Sequence, residues 1–300
     1  MLNKNLYDKV YSISEVIDQY DLVLMDIWGT IISEGSSQKM VLINDNIPKL
    51  INQHFLSNKI IFVSNAPILN DQISKTLNSI GIQVSDLNVV TSGSMTKFAI
   101  ENLKIAKGFS QEQKVKVYHL GYDSHKSLWQ NSNVEETNKI STADLLLIAT
   151  HSFDKSSTEH DDLLRKSADN NITAICANPD QIFVNHNMAN PQVVYLAGFF
   201  ARKYENYGGK VIYTGKPGIE IFQHAMNISQ RKECNKVIVI GDSLDTDILG
   251  ANNLEIDSGL TINTGNCKFE ISKFHGDSNL DKARRMLENS SIKPTFLVEW

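Results

Sequence analysis

Short apolar runs recur along the chain with longer polar-studded segments between them. The runs are DLVLMDIW (21–28), KIIFVSN (59–65), KVKVYHL (114–120), DLLLIAT (144–150), ITAICAN (172–178), KVIYT (210–214), KVIVIGD (236–242) and SGLTIN (258–263). Each has strand length, and continuous rather than alternating apolar character predicts strands buried on both faces. The segments between are long enough for crossover helices, expected over 46–57, 70–80, 94–106, 158–170 and 218–230. Strand–helix alternation of this kind predicts an α/β fold with a mainly parallel sheet. The polar stretch QNSNVEETNKIST (130–142) reads as a surface loop or frayed helix. There is no strong internal repeat, no low-complexity tract and no Pro/Gly-rich linker.

Composition narrows the class. Hydrophobic residues make up 41% and charged residues 21% of the 300, which suits a folded globular protein. The net charge of −5 supplies no overall positive field for nucleic acid or anionic lipid, so neither is an expected partner. The apolar runs fall far short of the ~20 residues that span a bilayer. MLNKNLYDKVYSISEV carries charges where a signal peptide needs an apolar region, so a cytoplasmic location is expected. Cys176, Cys234 and Cys267 are odd in number and far apart, and read as reduced, mostly buried thiols. No His forms a close metal-type pair with another His or a Cys.

Three strand ends carry the chemistry: Asp26, Ser64–Asn65 and Gly241–Asp242. Ligands in open α/β sheets bind beyond the carboxyl ends of the strands, so these endings are expected to converge. A carboxylate such as Asp26 can attack phosphorus or carbon and form a covalent intermediate. GDSLDTD (241–247) adds Asp242 and Asp247, a carboxylate pair suited to Mg²⁺, which takes one or two carboxylates plus waters and substrate oxygens. Ser64 and Asn65 offer hydrogen bonds to phosphoryl oxygens. Lys216, between the glycines of TGKPG, offers a compact positive charge for the equatorial oxygens. Taken singly, each fragment also reads as a cap, a turn or a loop.

Their order resembles the haloacid dehalogenase superfamily of aspartate-nucleophile hydrolases. DIWGT is similar to its first motif, VSN to its second, the lysine of TGKP to its third and GDSLDTD to its fourth. CANPD (176–180) looks like the cap loop of the class IIA branch, which includes sugar-phosphate, nucleotide and 4-nitrophenyl phosphatases. The resemblance implies a Rossmann-like core over 1–107 and 210–300 with an inserted α/β cap over 108–209. It implies Asp26 as nucleophile and Mg²⁺ ligand, the backbone carbonyl of Trp28 and Asp242 as further ligands, and Asp247 in support. Ser64 and Lys216 would hold the phosphoryl group. Asn65 would shape its loop and join the substrate-binding set. Asn178 and Asp180 would meet the leaving group. The implied activity is Mg²⁺-dependent phosphatase or phosphotransferase action on a small phosphorylated metabolite, and relatives of this branch often pair through the cap.

One position departs from the pattern. Phosphatases of the superfamily carry Asp two residues after the nucleophile, where it protonates the leaving oxygen. This chain carries Trp28, whose indole N–H is a donor only. General acid–base help is worth about 10²–10⁴-fold. Three readings follow: a cap residue (His151, Asp154 or Asp180) supplies the acid; the substrate has a good leaving group; or the protein binds a phosphometabolite with little catalysis. A dehalogenase is the further alternative, since the founding members carry Tyr at this position, but GDSLDTD is a metal-binding pattern that halide chemistry does not need.

Overall fold

The computed structural model describes residues 7–34, 40–110, 112–130, 133–156, 158–185, 192–229 and 234–300. The strands in chain order are β1 (Val10–Ser12), β2 (Leu22–Met25), β3 (Ile32–Glu34), β4 (Met40–Leu42), β5 (Ile60–Ser64), β6 (Val89–Thr91), β7 (Val115–Gly121), β8 (Val134–Glu136), β9 (Leu145–Ala149), β10 (Thr173–Cys176), β11 (Ile182–Asn185), β12 (Gln192–Tyr195), β13 (Lys210–Tyr213), β14 (Val237–Gly241), β15 (Asp257–Thr261) and β16 (Phe296–Glu299). Seven form a parallel sheet in the order β1-β16-β15-β14-β2-β5-β6, and five form a second parallel sheet in the order β13-β10-β9-β7-β8. The α/β class with mainly parallel sheets is therefore the observed fold.

The continuous apolar runs have a direct cause. Successive strand residues point to opposite faces. Val23 and Met25 of β2 join Ile60 and Phe62 of β5 and Ile238 and Ile240 of β14 in one core cluster. Leu22, Leu24, Ile61, Val63 and Val239, the residues between them, join a second cluster on the other face. The second sheet repeats the scheme, with Leu145 and Leu147 of β9 on one face and Leu146 and Ile148 on the other. Each such side chain contributes on the order of 1.5–3 kcal/mol when fully buried. β7 and β13 are exceptions: Lys116 and Gly121 of β7 and Lys210 and Ile212 of β13 are exposed.

Helices expected over 70–80, 94–106 and 158–170 form as Asn70–Ser79, Ser92–Ala106 and Asp161–Asp169. The one expected over 218–230 forms as Ile219–Ile228, and Gln230 lies outside the described residues. The one expected over 46–57 is cut to Ile47–Asn52, followed by a tight turn at Phe55–Ser57. QNSNVEETNKIST contains strand β8, which pairs with β7 at the sheet edge; Asn131 and Ser132 lie outside the described residues.

Two topological facts position the site. From β2 the chain proceeds outward through β5 to β6, then returns to β14 on the other side of β2. The strand order reverses at β2/β14, and a crevice opens at such a point beyond the carboxyl ends. The second sheet enters the chain between β6 and β14. Its two chain crossings are tied together: Thr214 Oγ1 lies 3.0 Å from Ser92 Oγ and 2.9 Å from Thr96 Oγ1. β13, which the expected boundary at residue 210 assigns to the core, is hydrogen-bonded to β10 in the second sheet. A hairpin of β11 and β12 follows CANPD; residues 186–191 at its tip lie outside the described residues.

Candidate active site

The backbone N–H of Asp26 donates to Ile240 O at 2.8 Å, the last bond joining this segment to β14. The chain then folds back tightly, with Ile31 and Ile32 N–H both donating to Ile27 O. Gly29 holds the turn at φ +84°, a left-handed conformation that glycine adopts without steric cost. A Cβ there would also collide with the Asp242 carboxylate. Thr30 Oγ1 donates to Asp26 Oδ2 at 3.0 Å, and Trp300 Nε1 donates to Thr30 O at 2.5 Å, so Trp300, just beyond β16, braces the turn.

Asp242 follows β14 directly. Its Oδ2 accepts the N–H of Asn266, at the start of the helix Gly265–Ile271, at 2.5 Å. Asp247 sits in the wide helical turn Leu244–Ile248, which swings its side chain back under Gly241. Lys216 reaches in from the loop after β13. Its ammonium donates to Asp26 Oδ1 at 2.5 Å, Asp247 Oδ1 at 2.7 Å and Val63 O at 3.1 Å, so all three donors are engaged. Asp26, Asp242, Asp247 and Lys216 are 5%, 4%, 1% and 2% exposed.

Asn65 anchors the lysine loop. Its Oδ1 accepts the Lys216 N–H at 2.7 Å, and its Nδ2 donates to Lys216 O at 3.1 Å. Gly215 lacks the Cβ that would strike Asn65 Oδ1, which lets the two backbones approach this closely. Ser64 is buried beside it, with its Oγ accepting the Ala66 N–H at 3.2 Å.

The electrostatics of this cluster are unbalanced. Carboxylate oxygens of Asp26, Asp242 and Asp247 all lie within 4.8 Å of one another. Three carboxylates against one ammonium leave two negative charges uncompensated, and buried charges need partners. Burial, then Asp26 and Asp247, push the Asp242 carboxyl well above its ordinary range. Burial pushes Asp247 up to about 7, with Lys216 pulling the other way and Asp26 adding to the rise. Burial alone would lower Lys216, but Asp247, Asp26 and Asp180 outweigh it and hold the ammonium above its ordinary value. The missing charge equals that of one divalent cation, and the all-oxygen donor set suits Mg²⁺. These residues can hold a metal ion.

A model of the haloacid dehalogenase-like hydrolase family matches residues 20–254. The chain belongs to that family. No curated protein matches the sequence. Among solved structures, the chain is similar to a haloacid dehalogenase-like hydrolase from Brucella suis, with 20% identity over 97% of this chain and 98% of that one and a TM-score of 0.70. It is similar to a possible sugar phosphatase of the superfamily from Cytophaga hutchinsonii, with 19% identity over 97% of both chains and a TM-score of 0.72. A p-nitrophenyl phosphatase from Archaeoglobus fulgidus gives 22% identity over 93% and 95%, with a TM-score of 0.65.

Within this haloacid dehalogenase-like hydrolase, Trp28 is a packing residue that links the core to the hairpin of β11 and β12. The ring packs on the core cluster and meets Phe183 of β11 edge-to-face, with centroids 6.1 Å apart. Such pairs contribute about 0.5–1.5 kcal/mol beyond their burial. Asn178 turns inward: its Oδ1 accepts the Asp180 N–H at 3.0 Å, shaping its own loop. Asp180 reaches the other way, its Oδ1 accepting from Asn65 Nδ2 at 2.8 Å. It lines a cavity of about 720 Å³ that also reaches Asp242, Thr246, Arg202 and Asn266. Thr30, Phe183 and Asn266 escaped the sequence reading. Thr30 lies within DIWGT, but nothing local signals Phe183 or Asn266, whose partners are distant in the chain.

Proposed function

We propose that this chain is a metal-assisted phosphatase acting on a small phosphorylated metabolite through an aspartyl-phosphate on Asp26. The observation that carries this reading is one ammonium, Lys216, shared by Asp26 and Asp247 within a triad of buried carboxylates at the switch point of the sheet. The phosphatase names of the structures similar in fold support the same class.

Asp26, Asp242 and the Trp28 carbonyl would hold Mg²⁺, with Asp247 in support; the ion when bound supplies charge that screens Asp26 from an anionic substrate and polarises the phosphoryl group. The Asp26 carboxylate attacks phosphorus while the bond to the leaving oxygen breaks. Lys216 Nζ and the Ser64 hydroxyl hold phosphoryl oxygens, with Lys216 exchanging part of its carboxylate pairing for the phosphate. Asn65 keeps the Lys216 backbone in place through its two hydrogen bonds. Water then cleaves the aspartyl-phosphate.

The five-stranded sheet with the β11–β12 hairpin serves as the cap, excluding water from the reaction. Pairing of two copies through that cap and a cytoplasmic location complete the reading; among the described residues no helix is long and apolar enough to cross a membrane. The metal-type triad speaks against dehalogenase chemistry. The binding reading, with little turnover, draws on Trp28, which leaves the usual acid position without a titrating group.

The test is hydrolysis of 4-nitrophenyl phosphate with Mg²⁺. Asp26→Asn should reduce turnover to background, a loss on the order of 10⁴-fold or more, and chelation should abolish it. Activity that survives either change refutes the mechanism. Saturable phosphometabolite binding without turnover would establish the binding role instead.

A further inference from the structure

The geometry points to Asp180 as the proton donor to the leaving group, replacing from the second sheet the acid that residue 28 does not provide. This rests on the phosphatase reading above and concerns the step that reading leaves without an acid.

Asp180 ends the CANPD loop after β10, yet its carboxyl lies against the core. Asn65 Nδ2 holds Oδ1 at 2.8 Å, and the same amide nitrogen holds the Lys216 carbonyl at 3.1 Å. The carboxyl is thus one residue removed from the lysine that bonds Asp26. With Oδ1 accepting a hydrogen bond, a proton on this group resides on Oδ2. Asp180 and Asp242 line the same cavity, which places Asp180 on the same open space as one carboxylate of the buried triad.

The loop is built to hold this pose. Asn178 Oδ1 accepts the Asp180 N–H, and a Cβ at Gly198 would strike the carbonyls of Pro179 and Asp180, so the helix Ala197–Asn206 packs directly on the loop backbone. Burial pushes Asp180 up to about 6; Lys216 and the Asn65 bond pull it down, and Asp26 adds to the rise. A carboxyl in that range is matched to proton transfer near neutral pH. The other two cap candidates sit elsewhere. The His151 ring packs with Tyr122 and Phe153, and Asp154 accepts from Ser156 on an exposed loop.

Asp26 forms a bond to phosphorus, the bond from phosphorus to the leaving oxygen breaks, and the Asp180 carboxyl gives its proton to that oxygen. Asp180, now a carboxylate, takes a proton from the water that attacks the aspartyl-phosphate. Phosphate leaves, and Asp26 and protonated Asp180 are restored.

Asp180→Asn isolates the proton, because an asparagine Oδ1 still accepts from Asn65 and preserves the contact between the sheets. The experiment compares wild type, Asp180→Asn and Asp26→Asn on 4-nitrophenyl phosphate, phenyl phosphate and an alkyl phosphate. Asp180→Asn should lower kcat about 10²–10³-fold on the alkyl ester, less on phenyl phosphate and only a few-fold on 4-nitrophenyl phosphate, since a stable phenolate needs no proton. Adding Trp28→Asp to Asp180→Asn should restore turnover of the alkyl ester. An equal loss across the three esters makes Asp180 a positioning residue and overturns the proposal while leaving the phosphatase reading intact. Absence of Asp26-dependent turnover in the wild type overturns both.

Discussion

Lys216 carries the charge balance of the site at the level of single residues. Its ammonium stands between two buried carboxylates, and removing one partner of a buried pair costs about 3–5 kcal/mol. Lys216→Ala should therefore destabilise the metal-free protein by about that amount at pH 8, where Asp247, pushed up to about 7 by burial, is ionised without its partner. The loss should shrink at pH 5.5, where protonation removes the Asp247 charge. Urea unfolding in the presence of a chelator measures both values, and a loss independent of pH contradicts this account. Trp28 shows why residue identity alone misleads: its side chain forgoes the acid role but gains an edge-to-face contact with Phe183.

Among the elements, the turn after β2 is the most constrained. Gly29 stands at φ +84° with the Asp242 carboxylate and the Gly265 backbone where a side chain would go. Gly29→Ala should cost about 1–3 kcal/mol in strain and displace Asp242. The measurable consequence is weakened Mg²⁺ binding by calorimetry together with a lowered melting temperature. A variant with unchanged metal affinity would show that the turn does not position Asp242. The central strands were legible in advance because β2, β5, β9 and β14 are buried on both faces, so nearly every position is apolar. Strands β1, β3, β4, β6 and β8, of three residues each, are too short to stand out in the apolar pattern, β8 lies at an edge where two of its three residues are exposed, and β16 was missed as well. The hairpin β11–β12 was equally silent, because its function of touching Trp28 from above depends on how the second sheet sits.

For the molecule as a whole, the metal binding proposed for the acidic cluster would be pH-dependent. Asp247 is pushed up to about 7, and burial and its acidic neighbours push Asp242 well above its ordinary range. Below those values a proton occupies the carboxylate and the cation must displace it. Mg²⁺ affinity should therefore fall as pH drops from 8 to 5.5, by at least about tenfold, in a calorimetric titration that also registers proton release. An affinity flat across this range contradicts the buried-carboxylate account. Burial also renders two of the three free thiols unreactive: it pushes Cys176 up to about 12 and raises Cys267 as well, whereas Cys234 is half-buried.

The sequence by itself determined the alternation of buried strands and helices, the carboxylates at two strand ends, the lysine between glycines and the absence of an acid at residue 28. These are local properties, carried by hydrophobic periodicity and by residue types at fixed spacing. Tertiary structure alone decided which charges share a partner. Lys216 lies 190 residues from Asp26 and Asn65 lies 115 from Asp180, so their bonds exist only because β2, β5 and β14 are neighbours and the second sheet folds over them. Burial and proximity, not residue type, raise Asp180 and Asp247 toward neutrality, and both arise only when distant segments exclude water from the same small volume.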